Sequence, residues 1–178
     1  MKSFLILIPG ILLVSAIRAQ SYQPDDSRSS VKFTIKDFGI TTTGSIKGVA
    51  GTIEFDSTSP EKAVFNLKAD VSTVNTSNDL RDTHLKKPEY FDVEKYPTIT
   101  FASKTISGKS SNLQVSGELT IKATTKSVTI PVQVSLVSGG YQFKGSFDLN
   151  RRDYDVGGSS LVLGDNVTVT FIVIGINK

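Results

Sequence analysis

The chain has no cysteine, and only one histidine, His84, in its 178 residues. No disulfide can staple the fold, and no cysteine is available for lipoprotein-type acylation. A structural zinc centre draws on about four nitrogen or sulfur ligands, which this composition does not supply. A Ser-His-Asp set has only His84 to use. Asp79 and Asp82 lie near it in sequence, but no Gly-x-Ser-x-Gly elbow accompanies them. No glycine-rich phosphate loop precedes a helix. Linkers, internal repeats and low-complexity tracts are also missing, so the chain reads as one domain.

Long apolar runs are scarce too. The one present, Phe4 to Ile17, is broken by Pro9-Gly10 and Ser15 and follows Met1-Lys2-Ser3. A membrane-spanning helix needs roughly 20 apolar residues, so this run is a poor span. A basic start, a short apolar stretch and the small residue Ala19 predict a secretory signal peptide over residues 1–19. Cleavage is expected near Ala19, with a cut after Ala16 as the alternative, since Ile17 is a poor residue three before the first site. The domain then covers residues 20–178, and its location is periplasmic or secreted. Loss of Lys2 and Arg18 lowers the formal charge from +3 to +1. The remaining lysines alternate with apolar residues, as on a solvated strand face; nucleic acid is not an expected partner.

What is present is a rhythm of two. Val31, Phe33 and Ile35 alternate with Ser30, Lys32, Thr34 and Lys36, so one face is buried and the other wet. The same alternation runs through Ile46–Phe55, Val64–Val71, Thr98–Thr105, Leu113–Ile121, Val128–Leu136, Tyr141–Leu149 and Val167–Ile176. Gly44, Gly48 and Gly51 interrupt the second run and signal bulges or bends. Gly139-Gly140 and Gly108–Asn112 mark hairpins. One segment reads as helix: Asn78 caps a short turn through Leu80, Arg81, His84 and Leu85 that ends before Pro88.

About eight long strands, several longer than the usual ~5–6 residues, predict an all-β fold, an antiparallel up-and-down barrel or a sandwich. A transmembrane barrel shares the alternation. It is disfavoured because Lys32, Lys36, Lys68, Lys122, Lys126 and Lys144 would have to fill its lumen, and because aromatic girdles are lacking.

The phenylalanines Phe33, Phe55, Phe65, Phe101, Phe143, Phe147 and Phe171 fall mostly on the apolar stripes. The same alternation serves a filled core or the wall of an apolar tunnel. Burying roughly 400 Å² of an apolar tail would be worth on the order of 10 kcal/mol before the cost of ordering it. Arg81 has two uses: a charge pair with Asp82 that pins the helical turn, or a contact to an anionic head group. Arg151-Arg152 follows a strand end, where one arginine of the pair could face a ligand at a barrel rim. His84 reads as a helix-face residue bonded to a carboxylate.

The segment from Leu80 to Phe101 departs furthest from the alternation, and on its own reads as a plug for one barrel end. Here the chain also resembles a known family. Asp70-Val71-Ser72-Thr73-Val74-Asn75-Thr76 leads into Asn78-Asp79-Leu80-Arg81-Asp82-Thr83-His84-Leu85. Tyr90-Phe91-Asp92-Val93-Glu94-Lys95-Tyr96-Pro97 follows, then Gly117-Glu118-Leu119-Thr120-Ile121 and Phe147-Asp148-Leu149-Asn150-Arg151-Arg152-Asp153-Tyr154. Together, from about Asp26 to Ile174, these runs resemble the YceI-like family. Arg28, Asp37 and Lys122-Ala123 stand where members of that family often carry histidine.

The resemblance implies a lipocalin-like barrel with one short helical insertion and an apolar tunnel for a polyisoprenoid or fatty-acid-like lipid. The tail would lie along Phe33, Phe65, Phe101, Phe143 and Phe171, with the head near Arg81, Arg151 or Arg152. The expected protein is a carrier, not an enzyme, with no cofactor and no membrane span; the resemblance also allows a homodimer. Two alternatives stay open: a filled barrel serving in stress or protein interaction, and a hydrolase using His84. The mass of the protein purified from its producing cells tests the leader. A chain starting at Gln20 is expected, and a full-length chain starting at Met1 would contradict it.

Overall fold

A computed structural model describes residues 20–109 and 111–177. The expected signal peptide lies outside the described residues. In chain order the strands are β1 (Gln20–Pro24), β2 (Ser30–Asp37), β3 (Ile40–Phe55), β4 (Val64–Asn75), β5 (Thr98–Lys109), β6 (Asn112–Ile121), β7 (Thr124–Val137), β8 (Gly140–Asn150) and β9 (Leu163–Asn177). The helix α1 (Asp79–Leu85) interrupts them between β4 and β5, and short 3₁₀ turns occupy Pro60–Lys62 and Arg151–Tyr154.

All pairings are antiparallel. The order β3-β2-β9-β8-β7-β6-β5-β4 closes on itself because β4 also pairs with β3. The sheet therefore has eight positions and no free edge among the described strands. β1 shares a position with β2. Gln20 lies opposite Phe55 of β3 and Tyr22 opposite Asn177 of β9, in the gap that β2 leaves at the lower end. β1 escapes the sequence reading because Tyr22 is its one buried side chain. The reading also starts β3 late, at Ile46, since Thr41-Thr42-Thr43 carries no apolar alternation, yet these residues pair with β2.

Apolar side chains point inward and polar ones outward. Along β6, Leu113, Val115, Leu119 and Ile121 are buried while Asn112, Gln114 and Glu118 are exposed. This polarity is the reverse of what a lipid-embedded barrel needs. In β3 the inward set changes parity, from Gly44 and Ile46 to Val49, Ile53 and Phe55. A register shift between Lys47 and Ala50 inserts the extra residue, and Gly48 takes a φ of 70° there. A one-residue insertion turns every following side chain to the other face, so the bulge keeps this long strand apolar inward at both ends. The Asp26 carboxylate accepts from the Val49 backbone N–H (2.7 Å) and satisfies the donor next to the bulge.

The two ends of the barrel differ. At the lower end the β5–β6 and β7–β8 hairpins are tight, the β3–β4 connection carries the Pro60–Lys62 turn, and Tyr22, Phe55, Tyr141 and Phe143 interlock edge to face. Ring centroids stand 4.9 Å apart for Phe55–Tyr141 and 5.4 Å for Phe55–Phe143. These offset contacts favour a fixed aromatic floor. At the upper end lie the two long connections, 76–97 and 151–162, together with the β2–β3 hairpin.

Gly51 makes the close approach of β3 to β4 possible. It sits at φ 134°, and a methyl group there would collide with the Asn66 carbonyl. Gly51→Ala is expected to destabilise the barrel by about 3 kcal/mol. Gly158→Ala, which meets nothing within 4 Å, should melt as the parent does. Thermal unfolding of the two variants checks the contrast, and equal melting would contradict it.

Candidate functional site

The barrel interior is not filled. A cavity of about 640 Å³ runs from the aromatic floor, where Ile53, Phe65, Val132 and Phe143 line it, to the upper end, where Leu80, Arg81, His84, Ser160 and Val162 line it. Leu80 borders this space and is also 85 % exposed, so the cavity reaches the surface there. The Leu80–Phe101 segment does not seal the barrel. Tyr90 and Phe91 pack beside Ile121 and Tyr154 at one side of the upper end and form part of the cavity wall.

The space exists because three phenylalanines fold over glycines of neighbouring strands. Phe33 of β2 lies opposite Gly44 of β3, and Phe171 of β9 opposite Gly145 of β8. Phe101 of β5 lies diagonal to Gly117 of β6, which pairs with Ser103. A methyl group at Gly44 would meet the far end of the Phe33 ring; at Gly117 it would meet the Ala102 carbonyl (2.4 Å) and Phe101 Cζ (2.7 Å), and at Gly145 the Pro131 carbonyl (2.5 Å) and Phe171 Cζ (2.6 Å). Each ring fills the place of an absent side chain on the wall instead of standing out into the lumen. All three are only partly buried although they face inward, because they border open space.

The upper end is braced by polar groups. Asn78 caps α1 by accepting from the Arg81 backbone N–H (3.0 Å). The expected Arg81–Asp82 charge pair does not form; both residues converge on Thr76 instead. The buried Asp82 carboxylate accepts from the Thr76 backbone N–H (2.8 Å) and hydroxyl (2.6 Å), while Arg81 Nε donates to that hydroxyl (2.8 Å) and Nη2 to the Thr76 carbonyl (3.1 Å). The threonine hydroxyl thus donates to one side chain and accepts from the other, which holds α1 on the end of β4. No carboxylate lies within 4 Å of the Arg81 guanidinium among the described residues.

Of the residues singled out from sequence, Phe33, Phe65, Arg81, Phe101, Phe143, Arg151 and Phe171 line this one cavity, and Arg152 does not. Phe65 and Phe143 meet edge to face at its floor, 5.2 Å between centroids. The Arg151 guanidinium is buried and its donors are aimed at protein: the carbonyls of Val156 (2.9 Å), Gly157 (3.0 Å), Gly158 (2.9 Å) and Gly164 (2.9 Å), and the Asp165 carboxylate (2.8 Å). It braces the 156–164 loop. Arg152 turns outward to a shallow depression with Asp153, Asp155 and Asp165, and stands 3.7 Å from the Asp165 carboxylate. His84 is exposed and packs edge-on against Tyr90 (4.9 Å), not against a carboxylate; Asp82, its neighbour on α1, is engaged by Thr76.

Sequence reasoning missed Thr76 and Tyr154. Thr76 reads as a strand-end residue, and only the chain reversal around α1 buries it. Tyr154 lines the upper cavity, where burial pushes its hydroxyl above the ordinary phenol range and the charge of Asp153 adds to the effect. It stays neutral across physiological pH. Lys122 donates to the carbonyls of Asp155 (2.7 Å) and Pro88 (3.2 Å) and ties the two long connections together.

Comparison with known proteins places these features in context. The family model described as YceI-like domain matches residues 22–174. A UPF0312 protein of Photorhabdus laumondii is 28% identical over 165 residues, covering 86% of each chain. The crystal structure of Burkholderia cenocepacia BcnA superposes with a TM-score of 0.80 at 24% identity, over 84% of this chain and 98% of that one. A polyisoprenoid binding domain from Saccharophagus degradans gives a TM-score of 0.73 at 17% identity, over 88% and 98% respectively. At these identities the two structures speak for the fold.

Thr76→Val removes the hydroxyl shared by Asp82 and Arg81 and leaves a buried carboxylate short of a donor. A loss of about 3 kcal/mol is expected, with amide exchange accelerated first in α1. Unchanged exchange there would mean that the helix is held by something else.

Proposed function

This chain belongs to the YceI-like family, and on that footing we propose that it is a secreted or periplasmic binding protein for a long-chain amphiphile, a polyisoprenoid or a fatty-acid-like lipid. It binds without turning its ligand over. The apolar tail enters the cavity and lies between the phenylalanine rings, and the polar head stays at the upper end beside Arg81. The observation that carries this reading is the continuous apolar cavity, floored by aromatics and open at one end. The likeness of fold to the polyisoprenoid binding domain of Saccharophagus degradans supports it.

The size of the cavity bounds the tail. At about 30 Å³ for a water-sized group, a volume near 640 Å³ admits roughly twenty methylene-sized groups. A longer polyisoprenoid leaves part of its chain outside. Pockets in this size range bury most of a ligand while a few polar groups set its orientation. Arg81 is the group best placed to do so. Two of its nitrogens are held by Thr76, so the guanidinium is fixed in place with its charge unpaired, which suits a phosphate or carboxylate. Arg151 belongs to the scaffold, since its donors are already engaged.

Titration with a fluorescent long-chain fatty acid tests the reading. Saturable binding at one site per chain is expected. Phe101→Arg places a charge in the cavity and should weaken binding by about tenfold or more. Gly44→Ala is the gentler variant. The three atoms nearest its methyl group all belong to the far end of the Phe33 ring, which must swing into the lumen, so binding falls while the melting temperature changes little. Parental affinity in both variants would rule out the cavity as the binding site.

A further inference from the structure

Five large apolar side chains stand exposed at the upper end: Phe38, Ile40, Leu80, Leu161 and Val162. The other residue of this kind among those described, Leu136, is at the opposite end, next to the β7–β8 hairpin. The five sit on three separate elements. Phe38 and Ile40 belong to the β2–β3 hairpin, Leu80 to α1, and Leu161 and Val162 to the β8–β9 connection. Hairpin and connection are joined, since the Phe38 backbone N–H donates to the Val162 carbonyl (2.9 Å). Leu80 and Val162 also line the cavity, so two of the exposed tips border its opening and the other three sit beside it on the joined hairpin and connection.

Phe38 is the telling residue. Phe38-Gly39 forms the two-residue turn of the hairpin, with φ of 50° and 76°. Such turns favour Asn-Gly, because a bulky L-residue is disfavoured in the left-handed region. The ring gains nothing inside the fold in exchange, as it is 74 % exposed. Leu161 repeats the pattern: it follows Gly157-Gly158-Ser159-Ser160 in a loop of small residues and is fully exposed. Strain and exposed apolar surface at one place point to something outside the molecule that covers it.

We propose that this rim is a docking surface for a lipid bilayer, through which an amphiphile passes between membrane and cavity without crossing water. The proposal rests on the carrier reading above. A bilayer suits the geometry better than a rigid protein face. Separate tips at an opening would leave a hollow under a solid partner, whereas fluid lipid fills both the gaps and the opening. Charges of both signs border the rim: Lys36, Arg81, Lys86 and Lys87, with Asp37, Asp79, Asp155 and Asp165. The basic side chains among them can meet lipid head groups at the membrane surface.

Flotation with vesicles of phosphatidylcholine containing a minority of phosphatidylglycerol tests the proposal, using protein purified from its producing cells. The double variant Phe38→Asn with Leu161→Ser removes the two most prominent tips and supplies the turn with its preferred residue, so it should fold at least as well as the parent. Neither residue lines the cavity. Vesicle binding is expected to fall about tenfold or more, and so is the rate at which a fluorescent fatty acid moves from vesicles to protein. Binding of the same probe from solution should not change. A variant that floats and collects probe as the parent does overturns the proposal. So does a parent that ignores vesicles but forms dimers the variant does not, which would assign the rim to a second copy. Absence of probe binding from solution would instead strike the carrier reading, while flotation of the parent against the variant still decides the docking surface.

Discussion

Phenylalanine rings lying over glycines on adjacent strands decide what kind of barrel this is. Eight strand positions enclose a space that side chains alone can fill, and the alternation supplies enough large residues to do it. At three places along the wall a glycine of the neighbouring strand lies opposite a phenylalanine (Gly44, Gly145) or diagonal to one (Gly117), and the ring folds into the vacancy. The rings remain in the barrel but leave its axis clear. The floor works in the opposite way: Tyr22, Phe55, Tyr141 and Phe143 meet one another edge to face and close that end. Aromatic residues thus make both the wall of the cavity and its stopper: three rings fold over glycines, and the floor rings pack on one another.

The polar groups of the upper end serve the same architecture. A cavity with an apolar interior needs a rigid opening, and both long connections are fixed by charged side chains engaged with backbone. Arg151 gathers the carbonyls of one loop, Lys122 spans the two connections, and Thr76 joins α1 to β4 through Asp82 and Arg81. Buried charges of this kind are tolerated only when well partnered, and no buried side-chain polar atom among the described residues lacks a partner. Arg151 is paired with Asp165 and Lys122 does not line the cavity, whereas Arg81 borders the opening with no carboxylate within 4 Å among the described residues, and so the head-group assignment falls to it.

The strands were legible in the sequence because a period of two survives wherever one face is dry; the alternating runs gave an all-β barrel or sandwich, and the family resemblance pointed to the barrel. The Asn78 cap and the Gly139-Gly140 hairpin were legible from local chemistry. The rest depended on pairing across the chain. β1 carries one apolar anchor and becomes a strand only because β2 stops short. The parity change in β3 follows from the Gly48 bulge, which the glycine signals without giving its direction. Arg151 and Arg152 are alike in sequence, yet one is drawn inside by the carbonyls of a loop that begins five residues later. Above all, a filled core and an open one share the same stripes. The glycines that separate them lie on other strands, and their partners are known only once register is known.

The central claim is that the open interior holds an apolar chain in the cell. Native mass spectrometry of the protein from its own envelope fraction, with organic extraction of whatever accompanies it, tests this directly. The account predicts a discrete added mass that extracts as an isoprenoid or fatty amphiphile. A bare chain that cannot be loaded with either class of lipid would contradict it.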